Sequence, residues 1–136
     1  MPIVGFNFDK LYVEKLKKIE PPLRINTNVK IEDIFEEKND FSSKSTMTLR
    51  IPFFFSLDYD PKLAKLEITG HIHFLEKKKK AEEIKNKWKK DQKIKGELSK
   101  GVLNTILLKC NIKALEIAQD VNLPPHIRLP LLQAKK

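Results

Sequence analysis

Seven apolar side chains stand at every second position from Met47 through Leu49, Ile51, Phe53, Phe55 and Leu57 to Tyr59. Only an extended chain has a side-chain period of two, so the stretch predicts a long β-strand with one buried face. Thr48, Arg50, Ser56 and Asp58 fall on its other face. The run Asp58-Tyr59-Asp60-Pro61 has turn chemistry. A second alternation follows, with Leu66, Ile68, Gly70, Ile72 and Phe74 against Lys65, Glu67, Thr69, His71 and His73. Two alternating runs around a short polar turn predict an antiparallel hairpin.

Two more strands are predicted upstream. The first covers Phe6 to Lys15, with Phe6, Phe8 and Tyr12 on one face and Leu11 and Val13 on the other. Pro21 and Pro22 close it, because proline cannot donate to a ladder. The second runs from Arg24 to Glu36, where Ile25, Thr27, Val29 and Ile31 alternate with polar residues. The polar stretch from Lys38 to Ser45 reads as a loop.

From Glu76 the period lengthens. Ala81, Ile84 and Trp88 make a narrow apolar stripe on a basic helix. Gly96 and Gly101 then interrupt helix propensity, with Ser99 as a cap between them. Leu103, Ile106, Leu107, Cys110, Ala114, Ile117, Ala118 and Val121 line a second helix, which Pro124 and Pro125 stop. Residues 126–132 are apolar and proline-spaced, and predict an extended tail. Strands first and helices second indicate an α+β layer architecture rather than βαβ units. At 136 residues, one domain over 1–136 is expected. It divides into strands (1–75), a basic helix (76–98), an apolar-striped helix (99–122) and the extended tail (123–136).

The net charge of +9 is concentrated. Residues 77–100 hold eleven lysines and four acids, for +7, which leaves +2 for the rest. Cys110 is the one cysteine, so no internal disulfide forms and a reducing, cytoplasmic setting is expected. No apolar run approaches the roughly 20 residues that span a bilayer, and the N-terminus lacks the pattern of a signal peptide, so membrane insertion is not expected. The lysine-rich, charge-rich composition also fits a thermophile. There is no Gly-rich phosphate loop, nucleophile elbow or metalloprotease motif, so the chain reads as non-enzymatic and without a cofactor. His71 and His73 share a strand face and would bind a metal only with a third ligand; two polar residues on a solvated face is the simpler reading, and no metal is expected. Cys110, on an apolar stripe, reads as an inert buried thiol.

The order of strands, then helices, then a proline-spaced tail resembles the SecB family of protein-export chaperones. Residues Phe6-Asn7-Phe8-Asp9-Lys10-Leu11-Tyr12-Val13-Glu14-Lys15-Leu16 resemble that family's first strand, and Leu123-Pro124-Pro125 with Leu129-Pro130-Leu131 resembles its C-terminal proline pattern. The resemblance implies a four-stranded antiparallel sheet followed by two helices packed on one face. It implies an ATP-independent holdase that keeps unfolded or nascent polypeptides competent for export or folding, assembled as a dimer or tetramer. Some members partner toxin–antitoxin pairs. The chain departs from the family in being basic and in ending Gln133-Ala134-Lys135-Lys136, so docking to the SecA motor through an acidic, metal-binding tail is not carried over.

Apolar groups on both sides of a sheet that has helices on one side call for a partner, either a subunit or a client. Tyr12, Leu11, Val13 and Phe54 are the candidates in strands, and Ile127, Leu129 and Leu131 are those in the tail. The competing reading is a ribosomal or ribosome-associated protein that binds rRNA through the basic helix. Its candidates are Lys77, Lys78, Lys79, Lys80, Lys85, Lys87, Trp88, Lys89 and Lys90.

Overall fold

A computed structural model describes residues 3–38, 43–92 and 97–127. Its elements are β1 (Ile3–Lys15), β2 (Arg24–Ile31), β3 (Phe35–Glu36), β4 (Thr46–Asp60), β5 (Ala64–Lys77), α1 (Lys78–Asp91) and α2 (Glu97–Asp120). The sheet is antiparallel, in the order β1-β5-β4-β2, with β3 also pairing with β4. The class is α+β, as expected, but the strands number five rather than four.

The extra strand comes from a break in the segment predicted as one strand over Arg24–Glu36. Ile31 pairs with Phe53, and an unbroken register would then set Ile34 opposite Arg50; instead Phe35 does so. One additional residue has entered the chain opposite Pro52, whose carbonyl accepts from Glu32 N–H at 2.8 Å. Ile34 turns inward and is buried. Because strand faces alternate, the insertion moves every later side chain to the other face. Phe35 and Glu37 therefore lie away from the helices, while Glu36 faces α1 and meets Lys85.

The same device corrects the reading of β1. The register steps from Phe8↔Gly70 to Lys10↔Thr69, leaving Asp9 as a β-bulge. Beyond it, Leu11 pairs with Ile68 and Val13 with Leu66, both on the helix side. Phe6, Phe8, Leu11 and Val13 thus share one face, and Tyr12 lies on the opposite one. The Phe6 ring stacks on Phe53 and meets Phe8 edge-on, each with centroids 5.2 Å apart.

The core forms where the odd-numbered residues of β4 and the apolar residues of β5 meet the helices. Leu49, Ile51, Phe55, Leu57, Leu66, Ile68 and Ile72 are wholly buried there. From α1, Ala81 and Trp88 reach it, and the indole N–H donates to Asp33 Oδ1 at 3.1 Å. From α2 it receives Val102, Ile106, Cys110, Ala114 and Ala118, a row spaced by four residues. Leu107 and Ile117 flank that row and are only partly buried. Ser99 and Gly101 lie inside α2 rather than interrupting it. One interior glycine costs about 1 kcal/mol against alanine, less than the packing of this row supplies. After α2, Tyr59 Oη donates to Pro124 O at 2.7 Å and His126 Nε2 donates to Asn111 Oδ1 at 2.7 Å, so the chain turns back along the helix.

Candidate functional site

The sheet face turned away from the helices is mostly polar. Across the strands its rows read Lys10–Thr69–Phe54–Lys30 and Tyr12–Glu67–Ser56–Asn28. Tyr12 and Phe54 therefore share this face but stand two strands apart, with Thr69 and Glu67 between them. The Lys10 ammonium lies 5.4 Å from the centre of the Tyr12 ring. Tyr12 Oη donates to Glu14 Oε2 at 2.9 Å, which raises the phenol pKa. Phe54 is partly buried in a shallow cleft lined by Asn28, Val29, Lys30 and Ser56. Neither aromatic belongs to a continuous apolar patch.

Near the β3 end the same face carries a charged network. His71 Nε2 accepts from the Asn7 side chain at 3.4 Å, and its Nδ1 donates to Asp9 Oδ2 at 2.8 Å, which assigns the Nδ1–H tautomer. The Arg50 guanidinium lies 3.3 Å from that nitrogen and donates to Glu37 Oε1 at 2.9 Å. The other Glu37 oxygen faces His73 Nε2. Partial burial raises the Glu37 carboxyl, but Arg50 and His73 outweigh it and hold the group below its ordinary range. The Asp9 bulge is what aims that carboxylate at His71. Among the described residues no three metal-ligating side chains gather.

Leu11 and Val13 lie on the helix side of an edge strand; Val13 packs on the core, while Leu11 is 45% exposed. Ile127 is 41% exposed. Leu129 and Leu131 lie outside the described residues. Cys110 is buried, and burial pushes its thiol up to about 12.

The basic candidates separate into two groups. Trp88 is buried, and its N–H is already bonded, so it offers no ring to a nucleobase. Lys85 is largely buried between Glu36 and Glu82, where it ties α1 to β3, and Lys80 pairs with Glu76. Lys77, Lys78, Lys79, Lys87, Lys89 and Lys90 are exposed and form no ion pair with a described residue.

Sequence reasoning missed a second stripe on α2. Leu108 and Ile112 are 61% and 58% exposed, and Leu115 stands three residues further on. At this spacing they share one helix face, turned away from the buried row. Toward the C-terminal end Leu115 joins Gln119, Leu123, Pro124 and Pro125 around a cleft. The signal was present in the sequence, since α2 is apolar on both sides and not on one stripe alone.

No protein-family model matches the chain, and a search of curated proteins finds no match. Among solved structures, the fold matches a SecB-like chaperone of Mycobacterium tuberculosis, solved in complex with a ChAD peptide from the HigA1 antitoxin. The TM-score is 0.56 over 99% of this chain and 92% of that one, at 10% sequence identity. The chain has a SecB-like fold.

Proposed function

We propose that this protein is a polypeptide-binding chaperone of the holdase type, acting on non-native or nascent chains without ATP. The observation that carries the proposal is the Leu108–Ile112 stripe, apolar surface that the chain's own core leaves in water. Such surface suits a client that offers apolar side chains but no fixed shape. The likeness in fold to a chaperone bound to a peptide supports the same reading, and an antitoxin-type segment is one client of the required chemistry.

Magnitude adds a requirement. Burying one leucine or isoleucine completely is worth about 1.5–3 kcal/mol. At the observed exposures the pair supplies roughly 2–4 kcal/mol before ordering costs, which corresponds to millimolar binding at best. Useful affinity therefore needs several copies of the surface, and a dimer or tetramer provides them through effective concentration. Tyr12, Leu11, Val13, Phe54 and Ile127 are further contributors to client or subunit contact in this reading.

The test is suppression of client aggregation at 0.3 M salt, where exposed charges are well screened. The double variant Leu108→Ser/Ile112→Ser should lose most of the suppression, with a melting temperature within a few degrees of the parent. Phe54→Ser, run in parallel, reports whether the polar sheet face contributes. Full suppression by both variants would reject the holdase reading.

A further inference from the structure

Most of the exposed lysines of α1 form no ion pair with a described residue. We propose that they form a binding surface for the phosphate backbone of double-stranded nucleic acid, separate from the apolar surface above. Five of them, Lys78, Lys79, Lys87, Lys89 and Lys90, are exposed on the helix and form no ion pair with a described residue. At 100° per residue, Lys79 and Lys90 lie opposite Ala81 and Trp88, Lys87 lies about 70° to one side of them, and Lys89 and Lys78 lie about 90° and 110° to the other, with Glu82 and Glu83 on the same arc. The placement also opposes local stability. The first turn of α1 holds no acid and three lysines, the reverse of what the helix dipole favours. Lys89 and Lys90, in the last turn, accord with the dipole, so it is the lysines of the first turn whose placement calls for an external partner.

Counterion release favours a duplex, whose charge density exceeds that of a peptide. From Lys78 to Lys90 the helix rises roughly 18 Å. A duplex offers about ten phosphates over that length, at one charge per ~1.7 Å of axis. An extended peptide made wholly of acids offers about five, at ~3.3 Å per residue. A peptide would also need apolar contacts to fix its register, and the apolar residues of α1 face the sheet. With Trp88 buried and no arginine on the helix, the surface has neither a stacking platform nor a bidentate donor for base edges. Recognition is therefore independent of sequence.

The experiment measures anisotropy of a labelled 20-base-pair RNA duplex and a DNA duplex of the same sequence, titrated with full-length protein across salt. Five neutralised phosphates give a slope of log K on log salt near −4.5, or roughly a 500-fold loss of affinity between 50 and 200 mM. The variant Lys78→Gln/Lys79→Gln/Lys87→Gln/Lys89→Gln/Lys90→Gln should bind at least about 100-fold more weakly at 50 mM, with a slope lower by about 4. A control removes the same charge elsewhere, through glutamine at Lys15, Lys17, Lys18, Lys30 and Lys65, and should keep most of the affinity. Preference for one duplex names the source of the phosphates, and equal affinity supports the backbone reading directly. Wild-type affinity in the α1 variant, or an equal loss in the control, overturns the proposal. So does displacement of the duplex by polyglutamate at equal charge concentration, which would assign the surface to an acidic protein. Aggregation suppression is scored separately, so failure here leaves the holdase reading standing.

Discussion

Gly70 is the position at which the sheet tolerates least change. It lies on the core face of β5, paired with Phe8 of β1 and Phe53 of β4. A Cβ there would stand 2.2 Å from the backbone oxygen of Asn7 and 2.7 Å from Phe53 Cζ. The ring has no freedom to swing, since Phe53 is 1% exposed and stacks on Phe6. Relief must come from β1, which has to retreat by about 1 Å to restore ordinary contact. Overpacking of a core costs about 1–3 kcal/mol. Loosening the two nearest ladder bonds, beside Phe8 and Asn7, adds about 1 kcal/mol each. Gly70→Ala should therefore lose about 3–5 kcal/mol in urea unfolding, or roughly 10–20 °C in melting temperature for a domain of this size. Gly101→Ala is the counterpart. Nothing lies within 4 Å of its Cβ and it sits inside α2, so the change should stabilise by about 0.5–1 kcal/mol. A loss below about 1 kcal/mol at Gly70, against that 1–3 kcal/mol expectation, would show that β1 does not press on β5 as described.

Two further outcomes follow from the same packing. Because the buried Cys110 thiol is pushed up to about 12, the unfolded chain ionises first as pH rises through about 8.5. The unfolded state then binds fewer protons than the native one, so stability should fall by about 1 kcal/mol per unit between pH 9 and 10. Cys110→Ala should flatten that slope, and an unchanged slope would refute a buried neutral thiol. Light scattering at micromolar concentration should give a mass that is a multiple of the 15.9 kDa chain; a monomer mass would remove the avidity on which the proposed client affinity depends.

Much of the fold was legible as period. The alternation from Met47 to Tyr59 marked β4 and its buried face, because one register of a strand buries all seven side chains together. The stripe through Ile106, Cys110, Ala114 and Ala118 marked the face of α2 that meets the sheet. The candidate surfaces were legible only in part. Position in sequence marks which lysines exist, and it does not tell Lys85, held between two carboxylates, from Lys87, which stands in water. The two-sided apolar pattern of α2 was in the sequence, but it did not set Leu108 and Ile112 apart as surface, since an apolar helix residue is counted as core until the other layers are placed.

What the sequence alone determined is the order of elements, the class and the concentration of charge after Lys77, all of which depend on neighbours a few residues apart. What only the tertiary structure decided is facing. One extra residue at Asp9 and one near Ile34 reverse every side chain that follows. Those insertions carry no compositional mark, because a bulge is defined by the partner strand and not by its own residues. They set Leu11 and Val13 toward the helices, Tyr12 away from them, and Asp9, His71, Arg50 and Glu37 together on the outer face. Which apolar groups remain in water was decided the same way, by how much surface two helices can cover on one side of a five-stranded sheet.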